Sequence, residues 1–138
     1  MNIYDLLAEN PMEEVEKEVK IGIRKNKQDE KYYDVVCKIK TISHEDYYDI
    51  RRKCIKTING QKDIDINKFQ DLICLECTVE PNFKKVEFMN KLNVKTPVEA
   101  LNKALSVGEK DYLYKEINKL NGYGVNFENE DIAETKKQ

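Results

Sequence analysis

Residues 72–83 read LICLECTVEPNF, and this stretch decides where the core of the fold lies. Together with the residues just before it, the stretch repeats apolar side chains every three or four positions, and further apolar residues fill most of the remaining circumference. A helix that is apolar nearly all round is usually buried at the centre of a domain. We therefore predict a central helix over 69–79, with Asn67 as its N-cap. The apolar set comprises Phe69, Leu72, Ile73, Cys74, Leu75 and Cys77.

The same stretch carries a C-x-x-C pair, Cys74 and Cys77, at a spacing found in zinc sites and thiol redox centres. A structural zinc site needs four Cys or His ligands, and the remaining candidates are Cys37, Cys54 and the single histidine, His44. No second C-x-x-C pair is present, and a reactive pair needs its first thiol exposed at a helix start. We predict that the four cysteines are small core residues, with no metal ion and no cofactor. A metal- or thiol-dependent regulator is an alternative.

The composition is that of a single small domain. The chain has 138 residues, and 24 Lys and Arg face 26 Asp and Glu for a net charge of −2. Basic and acidic residues alternate, whereas nucleic-acid binders usually concentrate positive charge. The amino end lacks the pattern of a signal peptide, and no apolar run approaches the ~20 residues of a membrane span. We therefore expect a cytoplasmic protein with reduced cysteines and no nucleic-acid or membrane partner.

Two stretches with alternating polarity precede the central helix. In VKIGIR, 19–24, and in DVVCKIKTI, 34–42, every second side chain is apolar, and the residues between the two stretches are polar. This alternation is typical of strands that bury one face and expose the other. The sequence therefore predicts an antiparallel β-hairpin in the amino-terminal half.

Helical spacing and capping residues predict the other elements. Apolar residues at helical spacing over 2–8 predict a short helix. With the acidic segment that follows, this helix indicates an amphipathic arm at the amino end. A longer helix begins at Ser43 and ends at Asn59-Gly60, and Thr96 and Ser106 each precede a glutamate at capping-box spacing. The predicted ranges are 2–8 and 12–17 for the arm, 43–58, 86–92, 96–105 and 106–120. We predict an α+β fold, mainly α: a domain over 1–123 with the hairpin on a bundle of four or five helices, followed by a polar, flexible tail over 124–138.

No catalytic centre is predicted. Nucleophilic catalysis needs a nucleophile and a base within reach, and the only histidine, His44, lies between Ser43 and Glu45 at a predicted helix start. Paired carboxylates lie among lysines on polar faces. The glycines of 121–124, NGYG, lack the strand-before-helix context of a phosphate-binding loop. We therefore predict that the chain is not an enzyme.

Short motifs occur in a fixed order in the second half of the chain. They are TVEPNF at 78–83, VKTPVEALNKAL at 94–105, GE at 108–109 and EINKLNGY at 116–123. With the opening MNIYDLLAENP at 1–11, they resemble the XkdN-like tail assembly chaperones of phages and phage-derived particles. The resemblance extends to about Tyr123. Ser106-Val107 departs from the family, which tends to have proline before Gly-Glu, and Cys77 stands where a small residue is expected.

The resemblance implies a function in the assembly of long phage tails. Members of the family are similar to chaperones that coat the tape measure protein and keep it soluble until tail-tube subunits polymerise around it. The tape measure protein is therefore the expected partner, and the tail tube protein and a second copy of the chain are further candidates. A structural tail component or adaptor that stays in the particle is the alternative.

A chaperone for a helical client needs apolar grooves between its own helices, rimmed by charge. The candidate residues come from the short helix before Thr96 and from the last two helices. For each of them, packing in the core is the alternative to contact with a partner. The candidates are Phe83, Phe88, Met89, Leu92, Leu101, Leu105 and Tyr112.

Overall fold

The structure, a computed structural model, describes residues 1–123. The tail predicted over 124–138 lies outside the described residues. The elements are α1 (Ile3–Glu9), β1 (Glu16–Lys25), β2 (Tyr32–Lys40), α2 (His44–Lys53), β3 (Ile55–Ile58), β4 (Gln61–Ile64), α3 (Ile66–Cys77), β5 (Thr78–Glu80), α4 (Val86–Leu92), α5 (Pro97–Ala104) and α6 (Val107–Leu120). The predicted α+β class, mainly α with an amino-terminal hairpin, is confirmed.

Strands β1 and β2 form the predicted hairpin, and β5 extends it to a three-stranded antiparallel sheet in the order β1-β2-β5. Cys37 and Ile39 of β2 are completely buried on the inner face. Lys20 and Lys38 lie on the other face and pair there with acidic neighbours. The register shifts between Lys20 and Gly22, which indicates a β-bulge in β1. The prediction of one buried and one wet face is confirmed.

Helix α3 is the centre of the molecule. It contacts α2, α5, α6 and β5, and it contributes four buried residues to the core, Ile73, Cys74, Leu75 and Cys77. Two predicted boundaries of this helix were wrong. The Asp65 side chain caps it by accepting a hydrogen bond from the Lys68 amide, so Asn67 already lies inside the first turn.

The helix also ends earlier than predicted. Its last residue is Cys77, and the next three residues form β5, where Thr78 pairs with Ile39 and Glu80 with Lys38. Pairing with the edge of β2 satisfies backbone groups that a longer helix would leave unpaired there. The peptide bond between Glu80 and Pro81 is cis.

The helix predicted over 43–58 was also wrong in its second half. Helix α2 ends at Lys53, and the next residues form a β-hairpin of β3 and β4 with Ile58 opposite Gln61. Asn59 and Gly60 both have positive φ, at 52° and 77°. This conformation is typical of the two-residue hairpin turn that Asn-Gly favours. Asn59 and Gly60 therefore form the turn of a hairpin and are not the end of a helix.

The carboxyl-terminal helices follow the predicted caps. The Thr96 hydroxyl accepts a hydrogen bond from the Glu99 amide at 3.2 Å, with Pro97 at the first helical position. Ser106 and Glu109 form a complete capping box. These local signals therefore predicted the starts of α5 and α6 correctly.

The amino-terminal arm differs in part from its prediction. Helix α1 is present, but it buries none of its residues against the other described residues. Glu16 and Lys17, predicted to continue the arm, belong to β1 because Glu16 pairs with Lys40 and Lys17 with Ile39. We therefore use the term arm for residues 1–14. In the described part of the chain, no helix is long and apolar enough to cross a membrane.

Candidate interaction surface

The seven predicted partner-binding residues differ in how deeply they are buried. Phe83, Leu101 and Leu105 belong to the buried core. Tyr112 lies on α6 with 44% of its surface exposed. The other three, Phe88, Met89 and Leu92, lie on α4, partly exposed and packed against the core. The four with exposed surface are therefore the ones that a partner can reach without opening the core.

The partly exposed residues are part of a larger apolar surface on α4, α5 and the connection between them. We call this the α4–α5 face. Its side chains pack with one edge on the core and keep the other edge in solvent, apart from Val86, which is 65% exposed. The face comprises Val86, Phe88, Met89, Leu92, Val94 and Val98.

Lysines are frequent in the segment that forms this apolar surface. Five lie between positions 84 and 103, where only Glu87 and Glu99 are acidic. Among the residues that the structure describes, only Lys84 of the five has an ion-pair partner, Glu76, at 3.3 Å. The five are Lys84, Lys85, Lys91, Lys95 and Lys103. The segment that carries the face therefore combines apolar side chains with an excess of positive charge.

Helix α6 is held against its neighbours by a partly buried lysine. The Lys110 ammonium group lies 2.8 Å from a carboxylate oxygen of Asp71 on α3 and donates to the Asn102 side chain of α5 at 2.7 Å. A second hydrogen bond joins Gln70 to Asp111. These contacts fix the rotation of α6 about its own axis and thereby keep Tyr112 on the exposed side.

A carboxylate at the start of α6 connects that helix to the hairpin. Glu109 accepts a hydrogen bond from the Ser106 amide at 2.9 Å and forms an ion pair with Arg24 of β1. Arg24 also donates to the Ala104 carbonyl, at the carboxyl end of α5, where a positive charge is favourable. The spacing to Ser106 predicted the capping role of Glu109, but the sequence did not indicate its ion pair with Arg24.

Gly22 of β1 makes room for this carboxylate. A Cβ atom at position 22 would lie 2.5 Å from Oε2 of Glu109 and 3.2 Å from its Cγ. Both distances are shorter than ordinary contacts, so the absence of a side chain at Gly22 permits the close approach. Gly108 differs, because no atom lies within 4 Å of the corresponding position.

The four cysteines lie in the core, as predicted. Each is at most 1% exposed. Burial raises the pKa of Cys74 and of Cys77 to about 12, with a smaller contribution from Asp71 and Glu76 respectively. Burial, and then the charge of Glu109, raise the pKa of Cys37 to about 11. Within residues 1–123, no group of three or more His, Cys, Asp or Glu residues could hold a metal ion.

We expect these thiols to be unreactive in the folded protein. A thiol-specific disulfide reagent at about pH 8 should label no cysteine of the native chain and all of them after unfolding, because the thiolate is the reacting form. The folded pKa of Cys74 lies above its ordinary value of 9.0, so the stabilisation from its burial is complete below that pH and declines as the pH rises towards 12. Rapid labelling of a native cysteine would contradict this assignment.

Ser43 and His44, the residues considered for hydrolytic chemistry, lie at the start of α2. The Ser43 hydroxyl accepts a hydrogen bond from the Asp46 amide at 3.1 Å, which makes Ser43 the N-cap. His44 is exposed in the first turn, with its ring 6.4 Å from that of Tyr48. Ser43 and His44 thus occupy the helix-start positions that the sequence predicted for them.

A separate cleft of about 540 Å³ opens beside the end of α6. Its lining combines residues of the arm, the loop between β2 and α2, and Leu120, Asn121 and Gly122. It shares no residue with the α4–α5 face and contains none of the predicted partner-binding residues. Its four acidic side chains, Glu13, Glu14, Asp46 and Glu76, also distinguish it from that positively charged face.

A family model and curated relatives match nearly the whole chain. The family described as "Phage XkdN-like tail assembly chaperone protein, TAC" matches residues 3–136. The phage-like element PBSX protein XkdN of Bacillus subtilis (strain 168) is 29% identical over 99% of this chain and 95% of its own length. The uncharacterized protein YqbN of the same strain is 31% identical over 98% of this chain and 94% of its own length.

A solved structure supports the fold. The crystal structure of the protein YqbN matches this chain with a TM-score of 0.66, covering 89% of this chain and 98% of that one. Residues aligned by structure are 22% identical. At that identity, the likeness supports the shared fold.

Proposed function

Because the chain belongs to the XkdN-like phage tail assembly chaperone family, we propose that it binds a tape measure protein and keeps that protein soluble until the tail tube polymerises around it. The observation that carries the proposal is the family match over nearly the whole chain. Membership of this family implies interaction with phage tail proteins. The tape measure protein as the specific partner, a non-catalytic role and a site of action in the host cytoplasm are parts of the proposal.

The α4–α5 face supports this function physically. An amphipathic helix binds by laying its apolar side into a groove between helices, and Phe88, Met89 and Leu92 offer partly exposed apolar surface for that purpose. The lysines of the same segment favour a helix with acidic flanks and keep the uncovered face hydrated. Moderate affinity at each copy would suffice, because many copies can bind along one long client.

The proposal is tested by co-expression with the tape measure protein of the same particle. We expect the chain to raise the soluble fraction of that protein several-fold and to co-purify with it. A variant carrying Val86→Ser and Met89→Ser should lose most of this effect, because it removes apolar surface of the α4–α5 face that a client can reach. Ile58→Ser is the matched control, since Ile58 is 50% exposed and belongs to β3, which is not part of that face.

Three results would contradict the proposal in different ways. Unchanged solubility of the tape measure protein, with no co-purification, would reject it as the client. Equal activity of the double variant and the control, with both shown to be folded by circular dichroism, would reject the proposed surface. Finding the chain at fixed stoichiometry in finished particles would favour a structural tail component instead.

A further inference from the structure

The arm, residues 1–14, carries a helix that buries no residue against the part of the chain that the structure describes. Helix α1 begins at an Asn2 cap, whose side chain accepts from the Asp5 amide at 2.8 Å. Ile3, Leu6 and Leu7 recur at helical spacing but all remain exposed, Leu7 at 61%. An isolated helix of seven residues is marginal in water, and most helical stability comes from packing of an apolar side. The arm therefore has the features of a segment that packs on a separate surface.

The charge of the arm limits what that surface can be. It contains four acidic side chains, Asp5, Glu9, Glu13 and Glu14, and no lysine or arginine. Glu14 pairs with Lys40 of β2 at 3.5 Å, so the carboxylates offered to a second surface are those of Asp5, Glu9 and Glu13. A matching surface should combine apolar side chains with an excess of positive charge. The segment that forms the α4–α5 face has this composition, with five lysines and two glutamates between positions 84 and 103.

We propose that the arm of one copy packs on the α4–α5 face of a second copy of this chain. Ile3, Leu6 and Leu7 would contact the apolar side chains of that face, and the acidic residues of the arm would lie near its lysines. A second copy is the occupant that we favour because α1 buries no residue against residues 1–123 of its own chain. Reciprocal exchange of two arms would give a symmetric dimer, in which the same contact occurs twice.

The contact would also cover the surface proposed for the client. An empty chaperone would then hide its own apolar face, and a tape measure helix would have to displace the arm. This competition rests on the proposed function, whereas the self-association does not.

Cross-linking between two copies tests the contact directly. One copy carries Leu7→Cys and a second, larger tagged copy carries Val86→Cys; both positions are exposed, and the native cysteines are buried. Mild oxidation of the mixture should give a disulfide-linked heterodimer. Val107→Cys in place of Val86→Cys is the control, because Val107 is exposed on α6 outside the face. Equal cross-linking to both positions, or none to Val86→Cys, would overturn the proposal.

A single chain that carries both Leu7→Cys and Val86→Cys distinguishes the source of the arm. Dilution before oxidation should prevent a cross-link if the arm comes from a second copy. An intramolecular disulfide that forms equally well at any dilution would place the arm on its own chain and overturn the choice of a second copy.

Exchange of charges tests the pairing without new cysteines. Sedimentation should detect a dimer whose dissociation constant rises by about tenfold with Lys91→Glu and Lys95→Glu. Adding Asp5→Lys and Glu9→Lys to the same chain should restore most of the association. Lys115→Glu with Lys119→Glu on α6 is the control and should leave it unchanged. A monomer at all accessible concentrations, or a dimer indifferent to these exchanges, would overturn the inference, and neither outcome involves the tape measure protein.

Discussion

Replacing Phe83 by alanine should destabilise the fold by about 3–5 kcal/mol, the usual loss for a large aromatic residue removed from a packed core. Phe83 is 2% exposed, and its ring centre lies 5.9 Å from that of Phe88. The alanine variant would leave a cavity between the loop after β5 and α4. Since domains of this size are stable by about 5–15 kcal/mol, this one change would remove a large fraction of the total.

Urea unfolding monitored by circular dichroism measures the effect. The midpoint should fall while the slope of the transition stays nearly constant, as for a change in stability alone. Val86→Ala is the matched control three residues further on, and its exposed side chain should contribute less than about 0.5 kcal/mol. A loss below about 1 kcal/mol for Phe83→Ala would contradict the core assignment of Phe83 and favour the alternative prediction that it contacts a partner.

The second large effect concerns the contact between Gly22 and Glu109. Gly22→Ala should cost about 1–3 kcal/mol, as overpacking in a close contact usually does. The new Cβ would displace a carboxylate that is held by the Ser106 amide and by Arg24. Glu109→Ala alone should cost about 1–2 kcal/mol, because it removes half of the capping box. The ion pair with Arg24 should add to this loss, because the Glu109 side chain is only 11% exposed, although solvent around the half-exposed Arg24 weakens the pair.

A double-mutant cycle separates this contact from the general effects of the two substitutions. In a Glu109→Ala background, Gly22→Ala should be neutral or stabilising, since alanine is better than glycine in a strand once the space is free. The changes in the free energy of unfolding caused by Gly22→Ala and Glu109→Ala should therefore be non-additive. Gly108→Ala, with no atom near its new Cβ, is the control and should be neutral or stabilise the helix. Additive effects of the first two substitutions would contradict the close approach.

Local signals in the sequence predicted much of the fold. Thr96 and Ser106 marked the starts of α5 and α6 because capping depends on residues three positions apart. The alternation in β1 and β2 predicted the hairpin for the same local reason. The hairpin of β3 and β4 was missed because Asn59-Gly60 suits both a helix end and a two-residue turn, and because Cys54 and Ile58 also fit helical spacing.

Features that depend on distant contacts could not be predicted in this way. The three residues of β5 form a strand because the edge of β2 lies beside them, and Thr78 and Ile39 are far apart in the sequence. Arg24 and Glu109 are separated by 85 positions, so nothing local joins them. Among the candidate surface residues, helical spacing identified apolar positions but could not separate buried Leu101 and Leu105 from exposed Tyr112.

The packing of α6 on the hairpin has a consequence for synthesis on the ribosome. Strands β1 and β2 are adjacent in the sequence and can pair early, but α6, which packs on both strands, is translated much later. Until α6 has left the exit tunnel, Val19, Ile21 and Ile39 have no complete apolar cover. The hairpin therefore cannot reach a stable state ahead of α6, and this domain gains its native structure only after α6 has emerged.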